Sequence, residues 1–433
     1  MVTAQQLNSS FRSFLAKAVA LFITLYAIAL TCSMAAMEIA SWATAFFFCL
    51  YVTLDRRSKG RKVEIHTVGV ELPMALLIIT VICGLKINAP DGDFWFAAGS
   101  LRNLALLFFF AYAFQVSKNL NRLFFLLVTC GTIISIYGIW QHFTGIDLWR
   151  HSSRALMGVP WGDHTAYSTV GFFSHHLTYG HSYMMILCVP WAALLLGRHR
   201  RWWEILGFLI SFGLLLTSLI FTYGRGVWIA ILVGLPVMAF FASRKLFFIS
   251  FALLLVGAGI LYKSDPLIRE RAMSIISDNY TSNDERRKLW QANMEMFHDH
   301  PWIGVGYRQN EPLSQEYYKK LDIKEGMSGH AHSNYVELLA TTGMLGFGSY
   351  MLIILGFILM TARLYSSIPV THYWHRVFAL AALGAQIAFH VGGLTQWNFG
   401  DAEVQHQFIF WLAVVAYMSQ RYYAHIVPDD NSL

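Results

Sequence analysis

Runs of roughly twenty apolar residues recur along almost the whole chain, and no other feature limits its fold so much. A hydrocarbon core about 30 Å thick takes about twenty helical residues to cross. No water reaches the backbone there, so such runs must close their hydrogen bonds internally, as helices. Composition agrees: 56% of the 433 residues are hydrophobic and 13% are charged, against about 25% charged in a soluble domain. The pattern predicts an all-α integral membrane protein with about twelve spans. They lie near 13–32, 36–54, 68–85, 97–116, 123–143, 174–196, 205–222, 227–242, 244–262, 334–362, 376–395 and 404–420.

Three parts follow from this spacing. Residues 1–262 hold the first nine spans, 263–333 form one long polar loop, and 334–433 hold the last three. The long loop mixes Trp, Phe and Tyr with nearly balanced charge and contains helical stretches such as DERRKLWQANMEMF. It is expected to fold as a small outer lid, since a disordered linker would be poorer in aromatics.

Short basic turns set the orientation. Arg56 to Lys62, Lys118 with Arg122, Arg198 to Arg201, and Arg244 with Lys245 fall on one face. The positive-inside rule puts that face and both termini in the cytoplasm. Arg12 and Lys17 ahead of the first apolar run fit a retained signal-anchor. All five cysteines (Cys32, Cys49, Cys83, Cys130 and Cys188) fall inside spans, so no disulfide framework is expected in the outer loops. The net charge of +7 is mostly this orientation signal and implies no nucleic acid.

Four polar clusters gather at the outer ends of spans. FFSHHLTYGHSY, 172–183, carries His175, His176 and Tyr179; FTYGRGVW, 221–228, sets Arg225 between two glycines. The lid contributes Arg286, Arg287 and HPWIGVGYR, 300–308, ending at Arg308. HAHSNYVELLATTGMLG, 330–346, places His330 and His332 just before a span, with Ser333 as its expected N-cap. A helix N-terminus attracts anions, and arginine pairs bidentately with phosphate. These groups would suit an anion such as a diphosphate. Glycines around Arg225 are expected to supply positive φ and a close backbone approach. Competing readings stay open for each residue. Arg225 could snorkel to headgroups, Arg286 and Arg287 could form a solvated helix face, and the histidines could anchor the interface. Arg150, Arg154 and Arg308 look more like surface than site, and Arg102 stays unassigned. His175, His176, His330 and His332 could in principle gather a metal. No HExxH, CxxC or paired-carboxylate pattern accompanies them, so no metal or other cofactor is expected.

The order FSHHLTYG, TYGRG, R-R-x-x-W, HPWIGVG and HAHSNYVELLATTGMLG resembles the O-antigen ligase (Wzy-C) superfamily. The last stretch is similar to its pattern of His, a small polar residue, nine residues and glycine: His332, Ser333, then Gly343 and Gly346. The resemblance covers about 170–350 by motif, and its motifs do not separate lipopolysaccharide ligases from O-antigen polymerases or protein O-oligosaccharyltransferases. It implies a GT-C-like fold of about twelve transmembrane helices with one large periplasmic lid, in the bacterial inner membrane. It further implies transfer of a glycan from undecaprenyl diphosphate to a sugar hydroxyl of lipid A-core at the periplasmic face. Under it His332 is the catalytic residue and Arg225 a diphosphate ligand. Arg286 or the adjacent Arg287, with His175 and His176, would complete the donor site, and His330, Tyr179, Arg154 and Arg308 are secondary candidates.

The chemistry fits these residue types. A diphosphate needs cations to hold its charge but no acid to help it leave. The acceptor hydroxyl needs a base near neutral pKa, which histidine supplies. One base with cationic clamps implies single displacement with inversion, whereas retention would want a carboxylate nucleophile. Outside the enzymes, a transporter of a lipid-linked anion would use the same arginines. Such proteins often show inverted repeats with sites near the midplane, and here the polar clusters lie at one face.

Overall fold

The computed structural model describes residues 4–57, 67–117, 120–149, 158–161, 164–197, 201–276, 281–324 and 326–423. The first part of the chain forms α1 (Ala4–Ala29), α2 (Met34–Arg57), α3 (Glu71–Asn88), a short α4 (Phe94–Gly99), α5 (Leu104–Ser117) and α6 (Leu120–Thr144). An antiparallel hairpin follows, β1 (Gly158–Trp161) with β2 (His164–Tyr167). Next come α7 (His176–Leu196), α8 (Trp202–Ile220), α9 (Arg225–Ala242) and α10 (Arg244–Ser264). The lid segment supplies α11 (Pro266–Met273), α12 (Thr281–Asp299) and α13 (Asn310–Lys320). The chain then closes with α14 (Asn334–Ser367), α15 (Tyr373–Gly392) and α16 (Ala402–Tyr423). Among the described residues the fold is all-α apart from one small hairpin.

Among the described residues, nine helices are long and apolar enough to cross a membrane by length and composition. Three of the expected spans correspond to helices outside those nine: α5, α15 and α16. For α5 and α16 the physical reason is visible. The run expected at 97–116 breaks at Gly99–Asn103, leaving a helix of 14 residues. There Arg102 donates to the Gly99 carbonyl (3.0 Å) and to Glu38 Oε1 (2.6 Å), and Asn103 donates to Gln405 Oε1 (3.0 Å). Polar side chains thus turn the chain where an apolar run would have continued. α16 is buried without interruption from Val404 to Ser419. It faces protein rather than lipid and can therefore carry Gln405, His406 and Gln407. α10 is the opposite case, with Ser250 its only buried residue.

The lid segment has its own core of Leu289, Ala292, Met296, Val305, Tyr317 and Tyr318, closed on Ala340 of α14. Asp265 caps α11 by accepting from Leu267 N and Ile268 N, with Pro266 in the first turn where its missing N–H costs nothing. The lid is also stitched into α14 itself. The helix is broken at Gly343 (φ 62, ψ −167), and Pro301–Gly306 crosses there. Val305 N and Gly306 N donate to the carbonyls of Ala340 and Thr341, while Met344 N and Leu345 N donate to those of Pro301 and Trp302. Only glycine fits the crossing. A Cβ on Gly343 would lie 2.4 Å from the Trp302 carbonyl carbon, and one on Gly304 would lie 2.2 Å from that of Thr341.

Candidate active site

The loop before α14 is fixed from three sides. Ser333 takes extended backbone (φ −156, ψ 127), and its Oγ accepts from Val336 N at 3.5 Å, the expected cap. Ala331, between the two histidines, has both backbone groups engaged. Its N–H donates to Glu337 Oε2 at 2.6 Å, and its carbonyl accepts from the Trp290 indole of α12 at 2.7 Å. Asn334 reaches the α15–α16 loop: its N–H donates to Gly393 O (2.8 Å) and its Oδ1 accepts from Phe399 N (3.0 Å). That loop brings Gln396 Oε1 to 3.1 Å from His332 Nδ1. A proton on Nδ1 pointing at this oxygen leaves Nε2 with a free lone pair, the tautomer a general base requires. His332 adopts φ 49, a left-handed backbone uncommon outside glycine, and the bonds on either side hold it there.

Arg225 opens α9, and its side chain is 8% exposed. Nη1 donates to Ser274 O (2.7 Å), Ser274 Oγ (3.4 Å) and Asn283 Oδ1 (2.7 Å), and Nη2 to Ser282 Oγ (2.9 Å). A buried fork bonded to the lid is not snorkelling to headgroups, so that reading falls. The expected glycine roles need correction too. Positive φ falls on Tyr223 (φ 53), while Gly224 caps α9 at φ −79. Gly226 serves close approach: a Cβ there would lie 2.3 Å from Thr395 Oγ1 of the α15–α16 loop.

The lid arginines separate cleanly. Arg287 points outward, half exposed, 3.7 Å from Asp284. Arg286 points inward; burial and then the charges of Arg225 and Arg271 lower its pKa to about 10. Arg286 also acts on both histidines. Burial, His332, Arg308 and Arg286 push His330 down to about 3, and burial followed by Arg286 and His175 lowers His332 against the opposing bond to Gln396. Both rings are therefore neutral near pH 7, and their centroids lie 4.1 Å apart. Arg308 has left-handed backbone (φ 62) and stacks its guanidinium 4.8 Å from the Phe96 ring centroid.

The first histidine cluster sits at the same end of the helices. His175 caps α7, its Nδ1 accepting from Leu177 N at 3.2 Å, which leaves an Nε2–H to donate outward. His176 Nδ1 bonds the Thr222 carbonyl at 2.8 Å and so ties α7 to the TYGRG reversal. Tyr179 is a correction. It is fully buried in the bundle, with its hydroxyl bonded to Ser218 (2.9 Å) and beside Ser135 (3.2 Å), because one helical turn beyond the cap already faces the core. Arg150 and Arg154 lie outside the described residues.

Sequence reasoning passed over Trp290, Glu337, Gln396 and Arg271. Glu337 carried a usable signal, an acidic residue inside an apolar run, where charge is costly and usually functional. Trp290 was visible as the aromatic of R-R-x-x-W, four residues beyond Arg286 and so on the same helix face. Arg271, whose Nε donates to Tyr223 O at 2.9 Å, and Gln396 had no distinguishing context. Among the described residues, no three His, Cys, Asp or Glu side chains gather as a metal site.

Fold and site together define a class: a polytopic helical membrane protein with arginines and neutral histidines clustered at one end of its helices. Residues 210–351 match the family model Wzy_C, O-antigen ligase, and over that stretch the chain is similar to that family. The matched stretch includes Arg225, Arg286, His330, His332 and Gly343, and begins after His175 and His176. A comparison with curated proteins finds no match.

Proposed function

We propose that this chain transfers a glycan from undecaprenyl diphosphate to a sugar hydroxyl of lipid A-core. The site would face the periplasm from the bacterial inner membrane. The supporting observation is that Arg286 acts electrostatically on Arg225 and on both His330 and His332, within the family-matched stretch.

In this reading His332 Nε2 takes the acceptor's proton as the acceptor oxygen attacks the anomeric carbon. The bond from that carbon to the diphosphate oxygen breaks, and the diphosphate departs with the electron pair. Arg225 and Arg286 hold the growing charge, aided by His175 and His176. Attack opposite the leaving group inverts the anomeric centre. No metal or cofactor is invoked. The described acceptors on Arg225 include the neutral oxygens of Ser274, Ser282 and Asn283. Phosphate oxygens make stronger, charge-assisted bonds to a guanidinium, so a donor diphosphate can replace these oxygens as the lid shifts.

The test is reconstitution of purified protein in liposomes with lipid-linked glycan and, in turn, lipid A-core, a second carrier-linked glycan or a pilin-like protein. Product on lipid A-core with inverted linkage supports the proposal. A lengthened carrier-linked glycan makes the protein a polymerase, and glycan on the pilin makes it a protein O-oligosaccharyltransferase. Movement of carrier across the bilayer with no new bond makes it a transporter.

A further inference from the structure

The two bonds on Ala331 come from elements unrelated in sequence. Glu337 belongs to the first turns of α14, is fully buried, and accepts from Ala331 N. Trp290 belongs to α12 of the lid and donates to Ala331 O. One residue thus has its donor pulled toward the helix and its acceptor toward the lid, so its peptide planes cannot rotate freely. His330 and His332 are the residues attached to those planes. Trp290 also lies four residues after Arg286, so the indole that grips the loop and the arginine that acts on both histidines share one face of α12. Neither side chain belongs to the lid core of Leu289, Ala292, Met296 and Tyr318.

We infer that Trp290 and Glu337 are positioning residues that hold His332 in register with Arg286 by bracing Ala331 from opposite sides. The inference rests on the proposed role of His332 as base. It explains why R-R-x-x-W and the histidine stretch occur together in one chain. It also explains how His332 keeps a left-handed backbone with no glycine beside it.

Three variants separate positioning from mere folding: Trp290→Phe, Glu337→Leu and Glu337→Gln. Trp290→Phe keeps the aromatic bulk and removes the indole donor. Glu337→Leu removes the acceptor, whereas Glu337→Gln keeps an oxygen for Ala331 N and should rescue. Trp290→Phe and Glu337→Leu should each lower kcat by about 10²-fold, the cost of misplacing a reacting group by about 1 Å. The donor KM should stay near wild type, and Glu337→Gln should retain most of the rate.

A second readout needs no turnover. The His332 ring signal, identified by its loss in His332→Ala, is titrated by NMR. The groups acting on this ring are Arg286 of α12, His175 at the cap of α7 and His330 of its own loop, with neutral Gln396 bonded to it. Loosening the loop admits water, so the midpoint should rise toward 6.5 in Trp290→Phe and Glu337→Leu and stay put in Glu337→Gln. Unchanged kcat and midpoint in the first two variants overturn the inference, as does Glu337→Gln behaving like Glu337→Leu. If the wild-type protein transfers no glycan to any acceptor, the proposed function falls and the titration alone decides the brace. A raised midpoint then supports it, and an unmoved one overturns it.

Discussion

Gly343→Ala puts a methyl group where the lid crosses α14. Two costs can be worked out. The backbone at φ 62, ψ −167 belongs to a region essentially restricted to glycine, so alanine there costs about 1–3 kcal/mol. The new Cβ would also lie 2.4 Å from Trp302 C and 2.5 Å from Ile303 N. These are backbone atoms that cannot swing aside, and overpacking of this kind costs about 1–3 kcal/mol more. The sum, roughly 2–6 kcal/mol, favours undocking of Pro301–Gly306 by a factor of about 30 or more. Hydrogen exchange reads it directly, because Val305, Gly306, Met344 and Leu345 donate the four crossing bonds. Their amides should lose protection while those of α16 keep theirs, and transfer should fall with them. Gly348→Ala is the control: a Cβ there meets nothing within 4 Å, and alanine in a helix gains up to about 1 kcal/mol. Unchanged protection at the four amides in Gly343→Ala, or equal loss in Gly348→Ala, would refute the crossing as the reason for this glycine.

Arg225→Lys should insert and fold but transfer about tenfold or more slowly. A single ammonium cannot span the Ser274, Asn283 and Ser282 oxygens reached by two separate nitrogens, and a lost hydrogen bond to a charged group costs about 1.5–3 kcal/mol. Near wild-type transfer by the purified Lys variant would remove the clamp from the account. Transfer should fall as pH drops, with a midpoint below 6.5, because the His332 pKa is lowered by burial and only the neutral ring accepts a proton; a midpoint above 6.5 in a pH–rate profile would contradict this. His330, pushed down to about 3, works in the same direction on stability. The unfolded chain takes up its proton first, so lid docking should weaken progressively from about pH 6.5 toward 3, as limited proteolysis would register. Transfer should survive exhaustive EDTA treatment, whereas loss restored by one divalent ion would reveal a metal role for the histidines.

Much of the fold was legible because spans announce themselves by length. The start of α14 came from its Ser333 cap, and α9 was foreshadowed by the tight TYGRG reversal. The break in the fourth expected span was hidden, because Arg102 and Asn103 sit in an apolar neighbourhood and find Glu38 and Gln405 only through tertiary packing. The burial of α16 was hidden for the same reason, since its glutamines read as poor lipid-facing residues until its neighbours surround it. Within the site, the arginine and histidine types were readable. Which arginine points inward was not, because Arg286 and Arg287 differ only by a rotation of about 100° about one helix. Tyr179 misled because a polar cluster at a helix mouth need not face one way throughout.

The central claim is that His332 takes the acceptor's proton while the arginines hold the donor. Donor affinity and single-turnover transfer should be measured side by side in wild-type protein and His332→Ala. The account predicts donor affinity within a few-fold of wild type and a transfer rate lower by about 10²–10⁴-fold, the usual contribution of a general base. Donor binding lost in step with transfer, or transfer retained without the imidazole, would contradict it.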